Sequence, residues 1–134
     1  MALTVSLSTK ELERVTALAY ETKTLKVMLC NVGATGYTSA STVTNWQSVE
    51  VSGNGYARAS TTINAGSYNS TTARYELPVY DAVFTASGVG FTYDRIVIYI
   101  DGATYPHSVI TENPNIALSP GQTQTYRINL NTDD

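Results

Sequence analysis

The sequence has little of what anchors most enzymes and secreted modules. Its one cysteine, Cys30, excludes an internal disulfide, and with it the stapled framework of small toxins and receptor modules. Cys30 follows Leu25, Val27, Met28 and Leu29 and reads as a buried core thiol. The one histidine, His107, excludes any metal site that needs two imidazoles. Charged residues make up only 14% of the chain, well below the usual share of about a quarter. Arg14, Arg58, Arg74, Arg95 and Arg127 are scattered along it, so no counterion-displacing footprint for nucleic acid stands out. No apolar run approaches the roughly 18 residues of a membrane-spanning helix. Met1 to Leu7 also lacks the basic start and apolar core of a signal peptide. Folding in a reducing cytoplasm is the resulting expectation.

What is present is a mainly neutral polar surface built from Thr, Ser and Asn. With 134 residues and a net charge of −3, the chain fits one domain, 1–134, able to bury a core without staples. Weak charge repulsion favours life in an assembly. Near the start, Ser8 and Glu11 have capping-box spacing, and Leu12, Val15 and Ala19 recur at helical intervals. A helix over Thr9 to Tyr20 is predicted, one-sided and in need of a sheet to pack on.

Beyond it the periodicity becomes that of strands. Thr24 to Cys30 is apolar on both sides apart from Lys26, as in a central or helix-covered strand. Gly33 to Asn45 reads as loop, Trp46 to Val51 as a short strand, and Tyr56 to Ile63 as a weakly alternating one. Thr72 to Tyr80 is predicted to contain a strand that is an edge or bends at Pro78, which has no amide to donate, with Ala82 to Phe84 as a brief strand after it. The clearest signal is Tyr93 to Ile100, with Ile96, Ile98 and Ile100 on one face and Tyr93, Arg95, Val97 and Tyr99 on the other. His107 to Ile110 extends again, and Thr123 to Leu130 closes the chain with Tyr126, Ile128 and Leu130 on one side. Turns are expected at Gly53, Asn54 and Gly55, at Asp101 and Gly102, and at Pro120 and Gly121. About seven short strands, frequent turns and one short N-terminal helix predict a mainly β fold, an antiparallel β-sandwich or jelly-roll-like barrel.

Reactive chemistry is hard to assemble from these residues. No nucleophile-elbow pattern places a serine near His107. Asp81, Asp94, Asp101 and Glu112 show no calcium-loop spacing. Gly53-Asn54-Gly55 and Gly88-Val89-Gly90 lack the lysine and the strand-to-helix context of a phosphate loop. No catalytic residue, cofactor or metal is therefore expected. Ten tyrosines against two phenylalanines and one tryptophan are the more informative feature, since tyrosine suits both cores and semi-polar interfaces. Tyr56, Arg58, Tyr93, Tyr99 and Arg127 are the candidate interface or scaffold residues.

One stretch carries a family likeness. A helix, then Leu25-Lys26-Val27-Met28-Leu29, then a Gly/Ser/Thr loop, then Glu50 through Arg58 resembles small tailed-bacteriophage virion proteins, often labelled tail-fibre or minor structural proteins. Val51 to Arg58 is its most specific part, a glycine-rich turn followed by Tyr56-Ala57-Arg58. The pattern's later tryptophan–glycine pair is missing; Phe91-Thr92-Tyr93-Asp94 and Ile98-Tyr99-Ile100-Asp101 stand in that region. The resemblance implies a non-enzymatic virion part, assembled in the host cytoplasm, whose partners are phage capsid or tail proteins and copies of itself. Within that class a capsid decoration or cement protein is expected, with a tail, collar or fibre component as the alternative. From a different class, a carbohydrate-binding module would present its tyrosines to a glycan. Neither direct nucleic-acid nor membrane contact is expected.

Overall fold

The structure is a computed structural model that describes residues 19–33, 37, 38 and 40–130. Its elements run β1 (Thr24–Cys30), α1 (Val43–Gln47), β2 (Ala59–Thr62), β3 (Ser67–Asn69), β4 (Arg74–Glu76), β5 (Tyr80–Thr85), β6 (Phe91–Ile100), β7 (Ser108–Leu118) and β8 (Thr123–Ile128). All strand pairings are antiparallel. One sheet has the order β2-β1-β6-β7, while β5-β8 and β3-β4 form two-stranded sheets. The fold is mainly β and sandwich-like, as the alternating pattern predicts.

Strand β1 sits at the centre because it is apolar on both sides. Leu25, Val27 and Leu29 join Ile96 and Ile98 in a first core with Ala82, Phe84 and Ile128 of the β5-β8 sheet. Met28 and Cys30 point the other way and join Val97 and Tyr99 in a second core with Val43 and Trp46 of α1. A sheet covered on both faces reads as a continuous apolar run rather than a clean alternation, which is what Thr24 to Cys30 shows.

The structure corrects two expectations. Trp46 to Val51 is not a strand. Thr42 caps α1 in a reciprocal capping box with Asn45, and the resulting helical turn carries Trp46 into the second core. Of the predicted strand there is an isolated antiparallel bridge between Cys30 and Glu50. Thr72 to Tyr80 does contain a strand, β4, and the chain leaves strand geometry at Pro78 before β5 begins, as the missing amide predicts. The second correction is that Tyr93 does not share a face with Val97 and Tyr99. Pairing with β7 jumps from Tyr93–Ile116 to Arg95–Thr111, so Glu112 to Asn115 bulge from β7, and Pro114 within that stretch lacks the amide that regular pairing would need. The irregularity puts Tyr93 with Ile96 and Ile98 in the first core. Of the predicted N-terminal helix, Ala19 and Tyr20 are helical, and its remainder lies outside the described residues.

The predicted turns are where the sequence puts them. Ser119 accepts from the Gln122 amide around Pro120 and Gly121 (3.0 Å), and Ile100 accepts from Ala103 around Asp101 and Gly102 (2.9 Å). Gly53, Asn54 and Gly55 all have positive φ. At Gly55 the demand is also steric: a Cβ there would lie 2.6 Å from Ser87 Oγ and 3.0 Å from the Thr85 carbonyl oxygen. The Ser87 amide donates to the Asn54 carbonyl at 2.8 Å, so two loops meet backbone to backbone at this point. Gly102 has a positive φ of 87°, but open space surrounds its missing Cβ. Gly55→Ala is expected to cost about 3 kcal/mol, and Gly102→Ala about 1 kcal/mol from backbone strain alone. Urea denaturation of the two variants measures the difference.

Candidate functional site

The densest polar constellation lies at the seam between β1, the segment after α1 and the glycine turn. Strand β2 pairs with β1 only from Thr24 to Val27. Past that point residues 49–51 take over the edge: Asn31 donates to the Val49 carbonyl and Val51 to the Leu29 carbonyl, both at 3.0 Å. The Leu29 amide falls in the gap and donates to the Tyr56 hydroxyl at 3.1 Å. That hydroxyl in turn donates to Glu50 Oε2 at 2.6 Å. Arg58 completes the group, its Nε and Nη2 donating to Oε2 and Oε1 of Glu50, each at 2.7 Å. Its Nη1 donates to the Tyr99 hydroxyl at 3.2 Å.

Each member is placed by its local chain. The turn at Gly53 to Gly55 reverses direction, so Glu50 and Arg58 come face to face. The Tyr56 ring stacks on Phe84 with centroids 6.1 Å apart and stands edge-on to Phe91 at 5.8 Å, which fixes the direction of its hydroxyl. The Glu50 side chain is 13% exposed and that of Arg58 33%, so water reaches the cation more than the carboxylate. Burial, and then the bond to Glu50, push the Tyr56 hydroxyl well above its ordinary range and keep it a donor. The bond to Glu50 raises Arg58 further into its charged form. Burial, reinforced by the Glu50 charge, pushes the Cys30 thiol up to about 12, and the thiol donates to the Trp46 carbonyl at 3.3 Å. A thiol held neutral in this way is a packing group and a poor nucleophile.

The remaining candidates are dispersed. Tyr93 shares a hydroxyl-to-hydroxyl hydrogen bond with Tyr126, tying β6 to β8. Arg127 is exposed on β8, in register with the exposed Asp81 of β5. Thus Tyr56, Arg58 and Tyr99 form one group, while Tyr93 and Arg127 stand elsewhere. Asp94 is buried, with its two oxygens accepting from the Val32 and Gly33 amides at 2.9 Å each; it pins the chain where it leaves β1. Asp101 lies 3.7 Å from Lys26. His107 Nδ1 is 2.7 Å from Ser108 Oγ, and desolvation lowers the pKa of the ring. Among the described residues no group of three or more His, Cys, Asp or Glu gathers as metal ligands.

Sequence reasoning missed Glu50 and the role of Asp94. The signal for Glu50 was its position on the far arm of the glycine turn from Arg58, since residues flanking a tight reversal become neighbours. No comparable local signal marks Asp94, whose partners lie 61 and 62 residues away.

No family model matches the chain, and no curated protein or solved structure matches it either.

The constellation is a structural clasp: it satisfies a buried amide, a carboxylate and a guanidinium together. Tyr56→Phe removes the acceptor for the Leu29 amide and one donor to Glu50, at an expected cost of about 1–3 kcal/mol. Tyr80→Phe, whose hydroxyl donates to the Ser60 carbonyl at an exposed position, is expected to cost less than about 0.5 kcal/mol. Denaturant midpoints at unchanged slope report both values.

Proposed function

We propose that this chain is a non-enzymatic structural module of a tailed-phage particle, a capsid decoration or cement protein that grips shell subunits through a preformed β surface. The observation that carries the reading is where the family-like residues fall. Tyr56 and Arg58, from the stretch that resembles phage virion proteins, hold the scaffold together through Glu50 and the Leu29 amide. A motif devoted to rigidity suits a part whose task is to present a fixed shape. The low charge and the Thr-rich surface support the same reading, because contacts made by shape and short polar groups avoid desolvating ions.

The outer face of the β5-β8 sheet is the surface best suited to such contact. Asp81, Val83 and Thr85 face Arg127, Thr125 and Thr123 across the ladder, and the hydroxyls of Thr85 and Thr123 are hydrogen-bonded at 2.9 Å. Val83 is 53% exposed in the middle of this face. Repetition over many copies turns a modest patch of this kind into firm attachment.

Stringently washed particles analysed by quantitative mass spectrometry are expected to retain the chain at a fixed copy number, and reconstruction is expected to place it on the capsid shell. Val83→Glu is expected to weaken attachment at least tenfold while leaving the unfolding midpoint almost unchanged. Loss of the wild-type chain on washing rejects a virion role. Confinement to the tail selects the collar or fibre alternative, and saturable binding of the isolated chain to a polysaccharide selects the carbohydrate-binding one.

A further inference from the structure

Strand β7 breaks its register with β6 between Thr111 and Ile116, and a polar cavity of ≈ 340 Å³ opens at this bulge, lined by Gly33, Asp94, Arg95, Thr111, Glu112 and Asn115. Bulges recur beside binding sites because they re-aim side chains that a regular strand would point elsewhere. Arg95 is held in place at the cavity wall. Its Nη1 donates to the Asp94 carbonyl at 3.0 Å and lies 3.5 Å from Asp94 Oδ2, while the Val32 and Gly33 amides pin Asp94 itself. Among the described residues nothing accepts from Arg95 Nε or Nη2. Neither nitrogen is sealed off, since Trp46 Nε1 is the one fully buried side-chain nitrogen or oxygen there without a partner. Both are therefore reached from outside, through the cavity that Arg95 lines. Glu112 is half-buried and joins no ion pair among the described residues.

One cavity thus presents a guanidinium with spare donors and a carboxylate with spare acceptors, and the two do not pair with each other. Arginine only donates and a carboxylate only accepts. An anion would satisfy Arg95 but be repelled by Glu112 and Asp94. A cation would satisfy Glu112 but be repelled by Arg95. A ligand with one negative and one positive group satisfies both, through charge-assisted hydrogen bonds. We propose that the cavity binds a small zwitterion, a free α-amino acid, with its carboxylate in the Arg95 fork and its ammonium donating to Glu112. Thr111 and Asn115, exposed at the rim, supply neutral hydrogen bonds to the same ligand. The volume lies at the lower end of the roughly 300–1,000 Å³ typical of small-molecule sites, which suits a ligand of this size. The site is separate from the outer face of the β5-β8 sheet and does not rest on the virion reading.

Titration of the isotope-labelled full chain with a set of free L-amino acids, followed by NMR, tests the assignment. At least one amino acid is expected to shift the Arg95, Thr111 and Glu112 amide signals saturably, with millimolar or tighter affinity. Acetate and methylammonium each carry one of the ligand's two charges and are expected to bind at least tenfold more weakly. Glu112→Gln is expected to weaken binding at least tenfold while leaving the unfolding midpoint almost unchanged. Arg95→Lys keeps the charge but loses the fork, and a similar loss is expected. Absence of a saturable shift with every amino acid overturns the proposal. Equal binding of acetate also overturns it and leaves a simple anion site, and undiminished binding by Glu112→Gln removes the ammonium partner. Saturable binding of glucose or galactose in place of amino acids overturns it in favour of a sugar site. These outcomes are read on the isolated chain, so they stand or fall apart from its retention on washed particles.

Discussion

Strand β1 is buried on both faces, so each of its backbone polar groups must find a partner inside the protein. That constraint shapes much of the surrounding chain. A buried amide left without an acceptor costs about 1–3 kcal/mol, a large fraction of the stability of a small domain. Strand β6 pairs with β1 from Leu25 to Cys30, but β2 covers the other edge only as far as Val27. The segment after α1 and the Tyr56 hydroxyl complete that edge. Glu50 is then drawn in as the acceptor for Tyr56, and Arg58 neutralises Glu50. The ion pair is secondary in this hierarchy. A pair open to water on its arginine side contributes little by itself, whereas its bidentate geometry fixes the carboxylate that orients Tyr56.

The second face of β1 explains α1. Met28, Cys30, Val97 and Tyr99 form an apolar surface that a bare sheet would show to water, and one helical turn covers it with Trp46 and Val43. Capping by Thr42 lets so short a helix stand. Its end then leads directly into residues 49–51, so the element that buries the second face also delivers Glu50 to the clasp. Asp94 acts similarly at the other end of the connection, holding the first residues after β1 by their amides. A chain this poor in charge thus places three of its ions, Glu50, Arg58 and Asp94, in fixed internal bonds, and meets its surroundings mainly with hydroxyls and scattered apolar groups.

Much of this was legible in the sequence because strands announce themselves locally. The Ile96-Ile98-Ile100 alternation, the terminal Tyr126-Ile128-Leu130 face and the Pro120-Gly121 turn all depend on near neighbours. The two-sided burial of β1 was readable from its unbroken apolar run. What escaped depended on distant partners. Trp46 looks like a strand residue in its own window, and only the uncovered face of β1 and β6 makes a helical turn there worthwhile. Tyr93 changes face because Glu112 to Asn115 bulge from the opposing strand, which alternation within β6 cannot reveal. Arg58 and Tyr99 were singled out separately, yet their meeting required the position of Glu50.

Native-state hydrogen exchange at the Leu29 amide tests the central claim most directly. If the Tyr56 hydroxyl closes the edge of β1, this amide exchanges only through global unfolding, as slowly as the other protected amides of β1 and β6. Exchange faster by orders of magnitude, in step with the surface loops, would show that the edge is open and that the clasp does not hold the scaffold.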